Sequence, residues 1–314
     1  GSEMCIRDRF LGVYNAGAAL FRAIGNSRVS MYTSLVMNVI NIGGNAVLIF
    51  GLKMGVMGAA LATLTARIVS ALVMVVLLSR KDNPLCIATP GCMKPQRDVI
   101  GKILKIGIPS GVENGMFQIG KLAVTSMVAT FGTASIAANS VGYTVIDFAN
   151  IPGNAMGLAL ITVVGQCIGA GEKKQAKQYT KKLVGLAYLG DWICNIALFL
   201  LAGTIAKCFH LSPEAVRIAE QILHCFAVTS LFIWPLSFTL SNALRAAGDA
   251  TFTMIVSIAS MWIFRVGSSY FFGIVLQMGV LGIWIGMFVD WGARSALFGW
   301  RFLSGKWLQR KALA

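Results

Sequence analysis

Eight apolar stretches, each long enough to cross a bilayer, constrain this chain more than any other feature. They run over roughly 31–51, 55–79, 106–131, 134–168, 183–206, 218–244, 252–276 and 279–300. A spanning helix needs about 20 mostly apolar residues. One such run could be a buried core helix, but no soluble domain of 314 residues has the interior to hide eight. The expected fold is an all-α integral membrane protein with eight full spans and one partial span over 10–24. Its function must then lie with the polar residues it keeps inside the bilayer, where each is costly.

Hydrophobic residues make up 56% of the chain and charged residues 12%, against about 25% charged in soluble proteins. A net charge of +15 would raise the question of nucleic acid in a soluble protein. Here the cations fall in alternate loops. Arg80, Lys81, Lys94, Arg97, Lys102 and Lys105 share one, and Lys173, Lys174, Lys177, Lys181 and Lys182 another; a basic tail runs over 301–311. The turns at 132–133 and 277–278 carry none. This is the positive-inside pattern. It predicts cytoplasmic basic loops, a cytoplasmic C-terminus, a bilayer rather than nucleic acid as partner, and a multi-pass protein of the inner (plasma) membrane. The seven cysteines show neither C-x-x-C nor metal spacing, and His210 and His224 are too few to build a metal site. No metal centre is expected.

Two segments repeat. Arg22-Ala23-Ile24-Gly25-Asn26 is echoed by Arg245-Ala246-Ala247-Gly248-Asp249, and Gly55-Val56-Met57-Gly58 by Gly279-Val280-Leu281-Gly282. Each copy is a polar turn, a span, a Gly-rich turn and a second span, both entered from the cytoplasmic side. A parallel repeat of this kind is a building plan of secondary transporters. It divides the chain into a C-terminal half of an N-lobe over 10–80, an inter-lobe linker over 81–102 marked by Pro84, Pro90, Gly91 and Pro95, and a complete six-helix C-lobe over 103–314. Residues 1–9 differ in character from all that follows and read as a non-native segment. On this plan the N-lobe is incomplete, with about three helices absent before Phe10.

The motifs Gly107-Ile108-Pro109-Ser110-Gly111-Val112-Glu113-Asn114, Ala137-Ala138-Asn139, Ile151-Pro152-Gly153-Asn154-Ala155, Val164-Gly165-Gln166-Cys167-Ile168-Gly169-Ala170 and Leu244-Arg245-Ala246-Ala247-Gly248-Asp249 resemble the multidrug and toxic compound extrusion (MATE) family of cation-coupled antiporters. The resemblance covers the chain from about Phe10 onward. It implies twelve helices in two lobes, and export of amphipathic organic compounds in exchange for H⁺ or Na⁺ by a monomer without other cofactors. A flippase of lipids or lipid-linked oligosaccharides, from the same superfamily, is the alternative. An integral membrane enzyme would need clustered acidic residues or histidines at one membrane face, and none stands out.

Polar residues fall into stripes at helical spacing. Asn114, Gln118, Lys121 and Thr125 share one face; so do Asn139, Tyr143, Asp147, Asn150 and Asn154; so do Ser34, Asn38, Asn41 and Asn45. For a single Asn, interhelical hydrogen bonding is the simpler account. For stripes that include Lys121 and Asp147, a hydrated cavity is. Glu113 and Asp147 are the cation-coupling candidates. A carboxylate that gains and loses charge as a cavity wets and dries can link proton entry to conformational change; alternatively, Glu113 pairs with Lys102 or Lys105 at the headgroups. The resemblance implies an essential glutamate at Glu113 in some branches and a second acidic residue five positions on in others, where this chain has Gln118. Lys121 is placed either to neutralise Asp147 or to repel cationic substrates, which would argue for neutral or anionic cargo. It and Arg67, Arg265 and Arg294 are intramembrane cations that fit a purely cation-exporting pore poorly. Pro152 and Pro235 lie inside spans and mark either hinges or static kinks.

Overall fold

The structure, a computed structural model, describes residues 2–80 and 97–308. Regular structure among these residues is entirely helical, as a bilayer requires when it offers no partner to a free N–H or C=O. The chain divides into two compact units, one up to Arg97 and one from Asp98.

In the first unit, α1 (Ser2–Ala23), α2 (Ser27–Asn45) and α3 (Gly55–Leu78) pack with α3 against both of the others. Tyr14, Ala18, Phe21, Met74 and Leu78 form its core. Helix α1 continues unbroken through the charged stretch expected to be foreign, and Asp8 there pairs with Arg67 at 3.4 Å. Arg67 is therefore no lone cation.

The second unit begins with α4 (Arg97–Ala129), α5 (Thr133–Ala149), α6 (Ile151–Gly169), α7 (Lys173–Cys208) and α8 (Pro213–Trp234). The Ser212 side chain accepts from the Ala215 N–H, and Pro213 takes the first turn, so α8 starts with its free donors reduced. The chain then passes through a π-helical turn (Pro235–Thr239) into α9 (Leu240–Ala246). Next come α10 (Ala250–Ala259), a π-helical stretch (Ser260–Val266), α11 (Gly267–Tyr270), a second such stretch (Phe271–Val275) and α12 (Gly279–Leu303). Helix α6 packs on α7 and α9, α5 on α8, and α12 on the two π-helical stretches and α11. Trp284, Phe226, Trp291, Ile222 and Leu223 form the larger core of this unit.

Several expectations change. Among the described residues six helices are long and apolar enough to cross a membrane: Ser27–Gly51, Gly55–Leu78, Ile151–Gly169, Lys173–Cys208, Pro213–Ala246 and Ala250–Val275. The stretch 134–168 is two helices, because Asn150 leaves helical geometry just before Pro152, which has no N–H to give. Helices α4 and α12, at 33 and 25 residues, are long enough but carry the charges described below. The basic segment 173–182 is the first turns of α7 rather than a loop, and α4 starts five residues before the expected end of the linker. Residues 81–96, with Cys86 and Cys92, lie outside the described residues. At Pro235 the missing donor coincides with the widening of the helix to π geometry.

The sequence repeat is also a repeat of backbone. Gly25 and Gly248 both take positive φ, at 82° and 87°. In each copy the glycine N–H donates to the arginine carbonyl at 2.9 Å, and the next N–H reaches the residue before that arginine, Asn26 to Phe21 and Asp249 to Leu244. These are left-handed helix C-caps, which glycine adopts without a Cβ penalty. The second turns match too: Met54 N–H bonds Leu48 O, and Met278 N–H bonds Phe272 O. Just beyond, Gly58 faces the Leu48 backbone and Gly282 the Phe272 backbone. A Cβ on Gly282 would lie 2.5 Å from the Phe272 carbonyl, and main chain cannot rotate out of the way. Gly282→Ala is therefore expected to cost about 1–3 kcal/mol, read as a lower unfolding midpoint in detergent. An unchanged midpoint would show that the α12 contact is slack.

Many large side chains face outward, among them Phe50 at 80%, Val56 at 89% and Leu200 at 75% exposed. On a soluble protein such apolar surface would drive association; against acyl chains it is the compatible face.

Candidate functional site

The second unit holds a buried charge cluster. Asp290 and Arg294 lie one turn apart on α12, and the Arg294 Nε donates to Asp290 Oδ1 at 2.9 Å. The Ser260 hydroxyl donates to the same oxygen. Arg265, from the π-helical stretch, brings its guanidinium within 3.9 Å of Asp290 Oδ2, an ion pair without a hydrogen bond. Asp290 has no exposed surface and both arginines are 3% exposed. Phe117 on α4 has both guanidinium carbons 5.4 Å from its ring centre, an arrangement in which the ring's negative faces partly replace water. Arg294 also donates to the Ser257 carbonyl at 3.3 Å, and Arg265 to the Tyr143 hydroxyl at 3.3 Å.

A second ion pair joins two helices. Glu113 on α4, 8% exposed, accepts from an Arg245 terminal nitrogen on α9 at 2.6 Å. Charge-assisted bonds this short are the stronger kind. Between the two clusters opens a cavity of about 240 Å³, whose lining includes Glu113, Asn114, Asn154, Asn242, Arg245 and Arg294. Glu113, Arg245 and Arg294 are the charged residues of its lining; Asp290 and Arg265 complete the Arg294 cluster, and the five charges of the two clusters leave one positive charge in excess.

A family model described as MatE matches residues 109–271, just over half the chain and including Glu113, Tyr143, Arg245 and Arg265. This chain belongs to the MatE family. That is the family its motifs resemble, and with its membrane-length helices it makes the chain a multi-pass membrane protein. It is 29% identical over 301 residues to "Probable multidrug resistance protein NorM" of Thermotoga maritima, covering 94% of this chain and 64% of that protein. It is 26% identical to "Multidrug export protein MepA" of Staphylococcus haemolyticus, covering 76% of this chain and 52% of that one. The chain thus spans less than two thirds of the length of these relatives. Its fold is shared with a solved multidrug resistance MATE family transporter in an outward-facing conformation, at a TM-score of 0.85 and 22% identity, over 93% of this chain and 66% of that one.

Within this MatE chain the polar stripes do not stay together. Glu113, Asn114 and Asn154 line the cavity. Asn139, 6% exposed, accepts from the Trp284 indole N–H at 3.2 Å, and the Tyr143 ring lies tilted against Trp284 with centres 5.2 Å apart. Asn150 is buried at the α5–α6 break with an unbonded side-chain oxygen. Gln118 and Asp147 are exposed and do not line the cavity. Among the described residues no ion pair joins Lys121 to Asp147; the Lys121 ammonium instead lies 4.9 Å from the Tyr143 ring centre. Glu113 pairs with Arg245 on α9. In the first unit Asn38 is exposed, while Asn45 donates to Asn41 and Asn41 to Thr63 on α3, both at 3.1 Å. The Asn41–Thr63 bond is interhelical.

Sequence reasoning missed Asp290, Ser257, Ser260, Asn242 and Phe117 as site residues. One signal was available: Asp290 and Arg294 have the i, i+4 spacing of an intrahelical pair. It also left Asp191 without a role. This fully buried carboxylate on α7 accepts the Gly153 N–H at 3.1 Å, beside the α5–α6 break, with its other oxygen unbonded.

Proposed function

We propose that this protein exports amphipathic organic compounds by alternating access in exchange for a coupling cation, as a monomer of the plasma membrane with a cytoplasmic C-terminus. The single observation that carries this reading is a polar chamber walled by buried charges inside a MatE helix bundle. The names of relatives as multidrug proteins support it.

Glu113 is the coupling residue in this reading, and H⁺ is the ion. Its carboxylate already holds a guanidinium at 2.6 Å, and that fixed positive charge repels Na⁺. A proton can still arrive, because it cancels the carboxylate charge and weakens the ion pair. The α4–α9 contact then loosens, and the helices can rearrange. Asp147, exposed and away from the cavity, has no part in this step.

The test is export of cationic dyes from efflux-deficient cells, with and without a proton gradient. Glu113→Gln keeps a side chain able to accept from Arg245 but cannot gain or lose a charge. Gradient-driven export should fall at least tenfold while membrane levels of the protein hold. Undiminished export removes Glu113 from the coupling. One observation favours lipid or lipid-linked cargo as a second reading, the positive excess around the chamber. Absence of dye export, with transbilayer movement of an anionic lipid, would decide for it.

A further inference from the structure

We infer that the chamber of the second unit is a binding site for an anionic group, a phosphate or carboxylate, held between Arg245 and Arg294. An uncompensated charge in a low-dielectric interior is costly, so buried charges are normally paired. Here Arg265, Arg294 and Asp290 are almost wholly buried and leave one positive charge over. Glu113 does not cancel it, being engaged by Arg245. Arg294 and Arg245 both line the open volume, so this excess borders it. Around the same space stand Asn154 and Asn242, whose amides can donate, and Ser257. Excess positive charge, amide donors and an open volume of about 240 Å³ are together what an oxyanion requires.

The ligand follows from the electrostatics. A proton on Glu113 and an anion in the chamber favour one another, since each reduces the other's charge penalty. Such a pair loads together, so the anion is not cargo exchanged against protons. It binds together with the proton, and the inference does not depend on which compound is exported. Its source is either a lipid headgroup or a free anion.

The experiment is binding to the purified protein in an uncharged detergent, read by heat of binding and by shift of the unfolding midpoint. The probes are inorganic phosphate, dihexanoyl phosphatidylglycerol and dihexanoyl phosphatidylcholine. Saturable binding of phosphatidylglycerol, at least tenfold tighter than phosphatidylcholine, is expected. If inorganic phosphate binds comparably, the free anion suffices; if it does not, the site takes lipid headgroups. Asn154→Asp and Asn242→Asp add a negative charge to the chamber without breaking an ion pair, and each should weaken anion binding about tenfold. Glu113→Gln should tighten it, which a purely structural role for the chamber would not produce. Equal affinity for the two lipids, or anion binding unmoved by both aspartate variants in folded protein, overturns the inference.

Discussion

Asp290→Ala is expected to destabilise the protein by about 3–5 kcal/mol, because it leaves two buried guanidiniums without a counter-charge. Arg294 would lose its 2.9 Å bond and Arg265 its only ion pair among the described residues. The Ser260 hydroxyl would lose an acceptor as well. The loss concerns the orphaned cations more than the worth of the pair itself. Adding Arg294→Met to Asp290→Ala should therefore recover part of the stability, since one of the two unpaired charges is gone. The measurement is the chemical unfolding midpoint in detergent for the wild type, Asp290→Ala and the double variant. A single variant as stable as the wild type would show that water or an ion reaches Arg265 and Arg294, and a double variant no better than the single one would place the cost in packing.

Trp284→Ala should cost about 3 kcal/mol. Trp284 is 2% exposed at the centre of the aromatic core. Its ring lies tilted 5.2 Å from Tyr143 and 6.3 Å from Phe288, and its N–H satisfies Asn139. In soluble cores such truncations cost about 3–5 kcal/mol. Part of that is transfer from water, which largely vanishes when the unfolded helix still sits in lipid. What remains is lost dispersion contact and an Asn139 oxygen left without a donor. Trp284→Phe restores the ring but not the donor, and should fall between the two. Equal losses for the Phe and Ala variants would assign the effect to the hydrogen bond alone.

Much of the architecture was legible from local chemistry. Runs of apolar residues long enough to span a bilayer specify helices by hydrogen-bond necessity, and the two Arg-x-x-Gly-Asn/Asp turns announced a backbone repeat because glycine fits the positive φ of a C-cap. Span boundaries were less legible. Apolarity does not show where a helix breaks, so Asn150 with Pro152 was read through, and lysines in the opening turns of α7 were read as a loop.

The site was legible only in part, for a different reason. Helical spacing tells which residues share a face of one helix, but not which face another helix covers. Asn114 and Asn154 therefore meet at one chamber, while Gln118 and Asp147, on the same stripes, face elsewhere. Glu113 finds its partner 132 residues away in Arg245, and Asp290 draws in Arg265 across the α12 contact. By itself the sequence determined a bilayer-spanning helical chain of the MatE kind, because apolarity, proline and glycine act through the backbone over a few residues. Only the tertiary structure decided which charges neutralise one another and where a positive excess is left. Coulomb energy in a dry interior depends on distances of a few ångströms between residues the chain order keeps far apart.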